Sequence, residues 1–180
     1  NPVLSNAITM TVYPVLPVSV SISTATNPSC EFTQVTFNAT GINGGTAPVY
    51  QWKQNGLNVG LNSPTFIFIP VTGDVITCQM TSNAVCYSGN RVVVSNPIAM
   101  TVSQELPASV SITTGSNPFC QGATATLTAT PTNGGNSPVY QWKVNCLNVG
   151  INTPTLNYIP ANGDFVTCQM TSSLSCATMN

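Results

Sequence analysis

Seven cysteines and four carboxylates carry nearly all the chemistry open to this 180-residue chain, which contains no histidine. Its charged residues are Glu31, Lys53, Asp74, Arg91, Glu105, Lys143 and Asp164. General acid–base catalysis needs a donor and an acceptor held together, and these carboxylates are too few and too scattered for the glycosidase pair. Asp74 and Asp164 occupy equivalent turns, where each is predicted to bond local backbone. No group of acidic residues is dense enough for calcium. The cysteines lack the CxxC spacing and histidine neighbours of a zinc site. Gly44-Gly45 and Gly134-Gly135 lack the lysine of a phosphate loop and are predicted to be turns. The expectation is therefore a non-enzyme without cofactor or metal.

Three cations cannot build a basic face, so no nucleic-acid partner is expected. A net charge of −1 gives little colloidal repulsion and makes association easy. No run of about 18 apolar residues occurs, so no membrane-spanning helix is predicted. The apolar fraction of 42% is spread as alternating residues, which predicts a folded chain. Abundant cysteine among Thr, Ser, Asn and Gly points to an oxidising, extracellular setting.

The elements that must position these residues follow from a period of ninety. PVYQWK at Pro48–Lys53 returns at Pro138–Lys143, and TCQMTS at Thr77–Ser82 returns at Thr167–Ser172. Cys30, Cys78 and Cys86 return as Cys120, Cys168 and Cys176, again ninety positions on. More than half of residues 13–90 are identical in residues 103–180. The opening segment NPVLSNAITMTV (residues 1–12) returns as RVVVSNPIAMTV (residues 91–102). Repetition of this kind indicates stacked domains.

Within one period the pattern is all-β. Val18, Val20 and Ile22 alternate with Ser19 and Ser21, and Val35, Phe37 and Ala39 alternate with Thr36, Asn38 and Thr40. Tyr50 and Trp52, like Tyr140 and Trp142, point inward in a third strand. Asn55-Gly56 predicts a two-residue hairpin leading into Leu57–Leu61. Phe66 and Phe68 define a fifth strand, and Ile76, Cys78 and Met80 a sixth. Residues 91–102 read as one final strand after a turn at Ser88-Gly89-Asn90. About seven strands in ninety residues describe a β-sandwich. Residues 103–107, a short link ending in proline, predict an end-to-end rod. Trp52, Tyr50, Phe66 and Phe68 are assigned to the core. Tyr13, Phe32, Tyr87 and Phe119 do not recur between repeats, which disfavours a sugar-stacking platform.

The YQW at Tyr50–Trp52 and GDVITC at Gly73–Cys78 resemble the immunoglobulin-like pattern. The second-strand position that holds the partner cysteine in that pattern is Ala39 here. A longer motif set covers the whole chain. It comprises Asn117–Gly122, Thr128–Thr130, Asn133–Gly135, Pro138–Asn145, Leu147–Gly150, Asn162–Cys168, Cys176 and Ser5–Val12. This set resembles the tandem immunoglobulin-like repeats of giant secreted surface proteins and adhesins of Bacteroidota. The resemblance implies export to the cell surface through the type IX system and a role in adhesion or appendages.

Cys78 and Cys168 fall on the inward phase and are predicted to be buried thiols. Cys30 and Cys86 are predicted at opposite ends of a sandwich, roughly 20 Å apart, whereas bridged Cα atoms lie roughly 5.5 Å apart. In an end-to-end rod the exit of one domain faces the entry of the next. That geometry predicts Cys30 with Cys176, and Cys120 with Cys86 of the next copy. Pairing of Cys30 with Cys78 or Cys86 inside one domain is the alternative. Cys146 replaces the glycine of the Asn55-Gly56 turn and is the odd, exposed thiol.

The resulting division is residues 1–12 as a final strand for a preceding domain, 13–102 as the first repeat, and 103–180 as a second lacking its final strand. Val3, Ile8, Met10 and Val12 are the predicted core contacts of that joint strand. Asn180 followed by Asn1 continues the repeat without a gap, so the chain reads as two periods cut in mid-domain. The functional expectation is a structural unit of an extracellular filament or giant surface fibre. Its partners are copies of itself or flanking repeats. The alternative is an adhesin stalk that contacts glycans or surfaces.

Overall fold

The computed structural model describes residues 1–179. Asn180, through which the repeat was expected to rejoin Asn1, lies outside the described residues. The chain divides into two compact units, residues 1–102 and 103–180, and each is an immunoglobulin-like β-sandwich.

Unit 1 contains β1 (Leu16–Pro17), β2 (Ser19–Thr24), β3 (Ser29–Cys30), β4 (Val35–Ile42), β5 (Val49–Gln54) and β6 (Leu57–Val59). It continues with β7 (Thr65–Phe68), β8 (Val75–Thr81), β9 (Tyr87–Ser88), β10 (Val92–Val94) and β11 (Ile98–Ala99). One sheet has the order β2-β4-β7; the other runs β10-β8-β5-β6, with β11 also on β8. The short β1, which strand alternation did not predict, runs parallel to β9.

The core lies between the sheets because alternate side chains point inward. Ile22, Val35 and Phe37 from one sheet meet Trp52, Ile76, Cys78 and Met100 from the other, all buried. Trp52 stacks on Phe66 with centroids 5.6 Å apart and meets Phe37 edge-on at 6.4 Å. Its indole Nε1 donates to the Ser63 carbonyl at 2.8 Å, which satisfies the one polar atom the ring buries.

Residues 91–102 do not form the single strand expected. The ladder on β8 runs through β10, breaks at Ser95-Asn96-Pro97, and resumes in β11. Pro97 lacks an N–H for the ladder, and the side chains of Ser95 and Asn96 have other backbone partners, described below. The expected linker at residues 103–107 is also largely strand, since β12 (Val102–Ser103) spans the boundary between the units and β13 begins at Leu106.

Unit 2 repeats the plan with β13 (Leu106–Thr114), β14 (Ala125–Thr132), β15 (Val139–Val144), β16 (Leu147–Val149), β17 (Thr155–Tyr158), β18 (Val166–Thr171) and β19 (Ala177–Met179). Its sheets are β17-β14-β13-β19 and β16-β15-β18. Leu127, Leu156 and Tyr158 stand where unit 1 has Phe37, Phe66 and Phe68, around a fully buried Trp142.

Both units pin the β-hairpin tip to the turn that carries the repeated aspartate. The Asn55 side chain donates to Asp74 Oδ1 at 2.8 Å and accepts from Val75 N at 2.8 Å, while Asp74 Oδ2 accepts from Val71 N at 3.0 Å. Asn145 and Asp164 repeat the clamp on Phe165 and Ala161. Burial raises the Asp74 carboxyl. Hydrogen bonds from the Gln54 side chain, Val71 N–H and Asn55 outweigh it and hold the pKa below the ordinary 3.8. A depressed folded pKa stabilises unit 1 above pH 3.8, and that stability is lost as pH falls through the lower folded value. We expect the urea midpoint of unit 1 to drop between about pH 6 and about pH 2.5 and to drop less in Asp74→Asn. Equal pH slopes in the two proteins would contradict this.

At the second tip the clamp has a cost. Asn145 and Cys146 have φ of 50° and 68°, where unit 1 has Asn55 at 53° and Gly56 at 81°. A side chain at the second position is disfavoured in this region, by about 1–2 kcal/mol. Cys146→Gly is therefore expected to stabilise unit 2 by about 1 kcal/mol in chemical denaturation; an unchanged or lowered midpoint would contradict the strain.

Candidate functional site: an open groove in unit 2

In unit 1, residues 91–102 close the sandwich. Val92, Val93 and Val94 pair with Thr81, Met80 and Gln79, and Ile98 and Ala99 pair with Ile76 and Val75. At the break, Ser95 N–H donates to the Cys78 carbonyl at 2.9 Å, and Ser95 Oγ accepts from Cys78 N at 3.0 Å. The Asn96 side chain reaches the other sheet. Its Oδ1 accepts from Ile22 N at 2.9 Å and its Nδ2 donates to Ile22 O at 3.1 Å. Further along, Met100 N donates to Asp74 O at 2.8 Å and Met100 O accepts from Gly73 N at 2.9 Å. The Asn27 side chain holds Ala99 O and Thr101 N. Met100 is only 2% exposed.

Among the described residues no strand occupies the corresponding place in unit 2: β18 pairs with β15 alone, and its other edge carries no ladder. A cavity of about 1070 Å³ opens there, lined by Ile112, Asn117, Phe119, Leu127, Asp164 and Val166 among others. A second cavity of about 360 Å³ lies between Val110 and Met170. Side chains buried in unit 1 are correspondingly uncovered. Ile22, Ile76, Cys78 and Met80 are buried, whereas Ile112, Val166, Cys168 and Met170 are only part-buried. The prediction that Cys168 is buried like Cys78 is thereby corrected, because the strand segment that covers Cys78 has no counterpart over Cys168.

The segment that resembles this strand forms no regular structure. Residues 1–12 are exposed throughout, with Val3 at 92%, Ile8 at 78%, Met10 at 80% and Val12 at 88%. A run of apolar side chains in water is unfavourable by about 25 cal/mol per Å² relative to a buried site.

Burial pushes the Cys78 thiol up to about 11 and raises that of Cys168 as well. Free thiols among the described residues are Cys78, Cys86, Cys120, Cys146 and Cys168, with Cys120 and Cys146 exposed and Cys86 half-buried. Cys30 and Cys176 are disulfide-bonded. The core aromatics lie where alternation put them, with Trp52, Trp142 and Tyr140 buried and Tyr50 packed against the core. Tyr13 and Phe32 are exposed, and the residues ninety positions on are Ser103 and Gly122. Tyr87 carries the Arg91 guanidinium 4.8 Å above its ring. Among the described residues no group of His, Cys, Asp and Glu could hold a metal ion, and no helix is long and apolar enough to cross a membrane.

Periodicity did not single out Ser95 and Asn96, because polar residues in a strand ordinarily read as its solvent face. The available signal was their recurrence as Ser5 and Asn6.

No protein-family model matches the chain, and no curated protein matches it. Among solved structures, the three N-terminal domains of the highly immunogenic outer capsid protein of bacteriophage RB49 align with 90% of this chain at 12% identity and a TM-score of 0.42. The ectodomain of mouse nectin-like molecule 4 aligns with 89% of it at 12% identity and a TM-score of 0.33. The alignments cover 59% and 64% of those two chains, so this chain spans less than two thirds of either.

Proposed function

We propose that the chain is a structural repeat unit of an extracellular filament or giant cell-surface fibre. Residues 1–12 of one unit complete the sandwich of its neighbour by lying along β18. One observation carries this reading: the twelve-residue pattern that closes unit 1 occurs a second time, exposed, while the same place in unit 2 is an open groove. Filling the groove removes apolar surface from water on both sides and pairs an edge strand that otherwise invites indiscriminate pairing. The register follows from the period of ninety, with Val3 opposite Met170 and Ile8 opposite Val166. Met10 enters the larger cavity beside Gly163 and Asp164.

Disulfides reinforce the joint in this reading. Cys30 pairs with Cys176, and Cys120 pairs with Cys86 of the next copy, because the period makes these two pairs equivalent. Such cross-links suit the oxidising exterior of a cell, and the resemblance to Bacteroidota surface repeats extends the proposal to type IX export. The partners are further copies of this chain or flanking repeats of a longer one.

Sedimentation of the 180-residue chain and of a chain lacking residues 1–12 tests the reading. The first is expected to form concentration-dependent oligomers. The second is expected to remain monomeric and to bind one equivalent of a peptide of sequence NPVLSNAITMTV. A full-length chain that stays monomeric, together with a shortened chain that ignores the peptide, would overturn the proposal.

A further inference from the structure

We infer that Ser5 and Asn6 set the register of the joint, Ser5 on the backbone of Cys168 in one sheet and Asn6 on the backbone of Ile112 in the other. This rests on the proposed joining of units through residues 1–12.

The apolar residues of that segment cannot fix its position alone. Ile8, Met10 and Val12 alternate with period two, so a slip of two residues keeps this triplet in phase with the inward face. At about 1070 Å³ the larger cavity of unit 2 has room for Ile8 in place of Met10. Something that does not repeat every second residue must distinguish the registers.

Unit 1 contains such a feature in full. Asn96 presents its amide to Ile22 as a strand backbone would, accepting from the N–H and donating to the C=O. Ser95, 8% exposed, takes the Cys78 N–H on its Oγ and returns its own N–H to the Cys78 carbonyl. Its hydroxyl then donates to Asn96 O at 2.8 Å. The two residues thus tie β8 in one sheet to β2 in the other, at the point where the last strand leaves the ladder.

The corresponding residues in unit 2 are Cys168 in β18 and Ile112 in β13, both part-buried. They flank the groove in which residues 1–12 would lie. Either slip of two residues replaces Ser5 by Val3 or Ala7, and Asn6 by Leu4 or Ile8. None of those four side chains can donate or accept a hydrogen bond. A slipped joint therefore buries the Ile112 N–H and C=O and the Cys168 N–H without partners, and it also buries the displaced Ser5 and Asn6 against apolar surface. Each group left without a partner opposes the slipped register. The polar pair selects one register among several of similar apolar burial.

Titration of the chain lacking residues 1–12, which keeps every strand of both units, with synthetic peptides tests this. The wild-type peptide NPVLSNAITMTV is expected to protect the Ile112, Cys168 and Gly163 amides from hydrogen exchange. Asn6→Ala in the peptide is expected to weaken binding about 30-fold, as for two ordinary hydrogen bonds. It should release protection at Ile112 while sparing that at Gly163. Ser5→Ala is expected to weaken binding about tenfold. Thr9→Ala serves as the control, because alanine occupies that place as Ala99 in unit 1, and it should leave affinity unchanged. If the wild-type peptide binds and Asn6→Ala binds equally well with Ile112 still protected, the register assignment is wrong and the joint survives. If the wild-type peptide does not bind, the joint itself is wrong and the inference falls with it.

Discussion

A Trp52→Ala chain is expected to lose about 3–5 kcal/mol from the stability of unit 1, close to the whole stability of a small domain. The indole is fully buried between the sheets, stacked on Phe66 and edge-on to Phe37. Truncation empties a space that strands fixed by two ladders cannot collapse to fill, since β5 is held by both β6 and β8. It also leaves the Ser63 carbonyl without the indole N–H that it accepts, which adds a polar cost to the cavity cost. The chain has two tryptophans, so in this variant the fluorescence of Trp142 reports on unit 2 alone. Circular dichroism is expected to show early loss of part of the β signal at a urea concentration where Trp142 fluorescence has not changed. Coincident loss of both signals at the wild-type midpoint would show that Trp52 is not the centre of an independent core.

The second large effect concerns Cys168. In the chain lacking residues 1–12, alkylation at about pH 8 should reach Cys168 far faster than Cys78, and saturation with the NPVLSNAITMTV peptide should slow it by at least about tenfold. Thiolate is the reactive form, and a thiol whose pKa is about 11, as for Cys78, is thiolate in only about one part in a thousand at that pH. Cys78 also lies under Ser95 and Met100, with no exposed surface. Cys168 faces Trp142 across β15 as Cys78 faces Trp52 across β5, yet it is only part-buried. Mass-spectrometric mapping separates it from Cys86 and Cys146, whose rates the peptide should leave unchanged, and from Cys120, which lines the larger cavity and is expected to slow as well. A Cys168 rate unaffected by saturating peptide would mean that residues 1–12 do not lie over β18.

Much of this architecture was legible before any coordinates. The alternation of Val35 and Phe37, and of Ile76, Cys78 and Met80, placed each on its inward face because side chains in a strand must alternate. Asn55-Gly56 announced its hairpin, since positive φ at both positions is what that turn demands. The recurrence of residues 1–12 at 91–102 was legible in the same way. Other features did not show. The clamp between Asn55 and Asp74 joins two turns far apart in sequence, and local turn chemistry alone paired the aspartate only with its own backbone. The break at Ser95-Asn96-Pro97 was hidden for a similar reason, since an apolar run interrupted by two polar residues still reads as one strand.

Strand phase, core identity and the ninety-residue period therefore belong to the local order of residues, where side-chain alternation and turn stereochemistry act over a few positions. Whether a given inward residue is covered belongs to the tertiary structure. Cys78 and Cys168 sit in identical TCQMTS sequences, and one is sealed while the other is part-open, because residues 91–102 lie over the first and no such segment lies over the second among the described residues. The role of Ser95 and Asn96 is of the same kind. Their hydrogen-bonding capacity is written in their side chains, but only the sandwich of unit 1, bringing Ile22 and Cys78 to either side of them, shows which backbone groups that capacity satisfies.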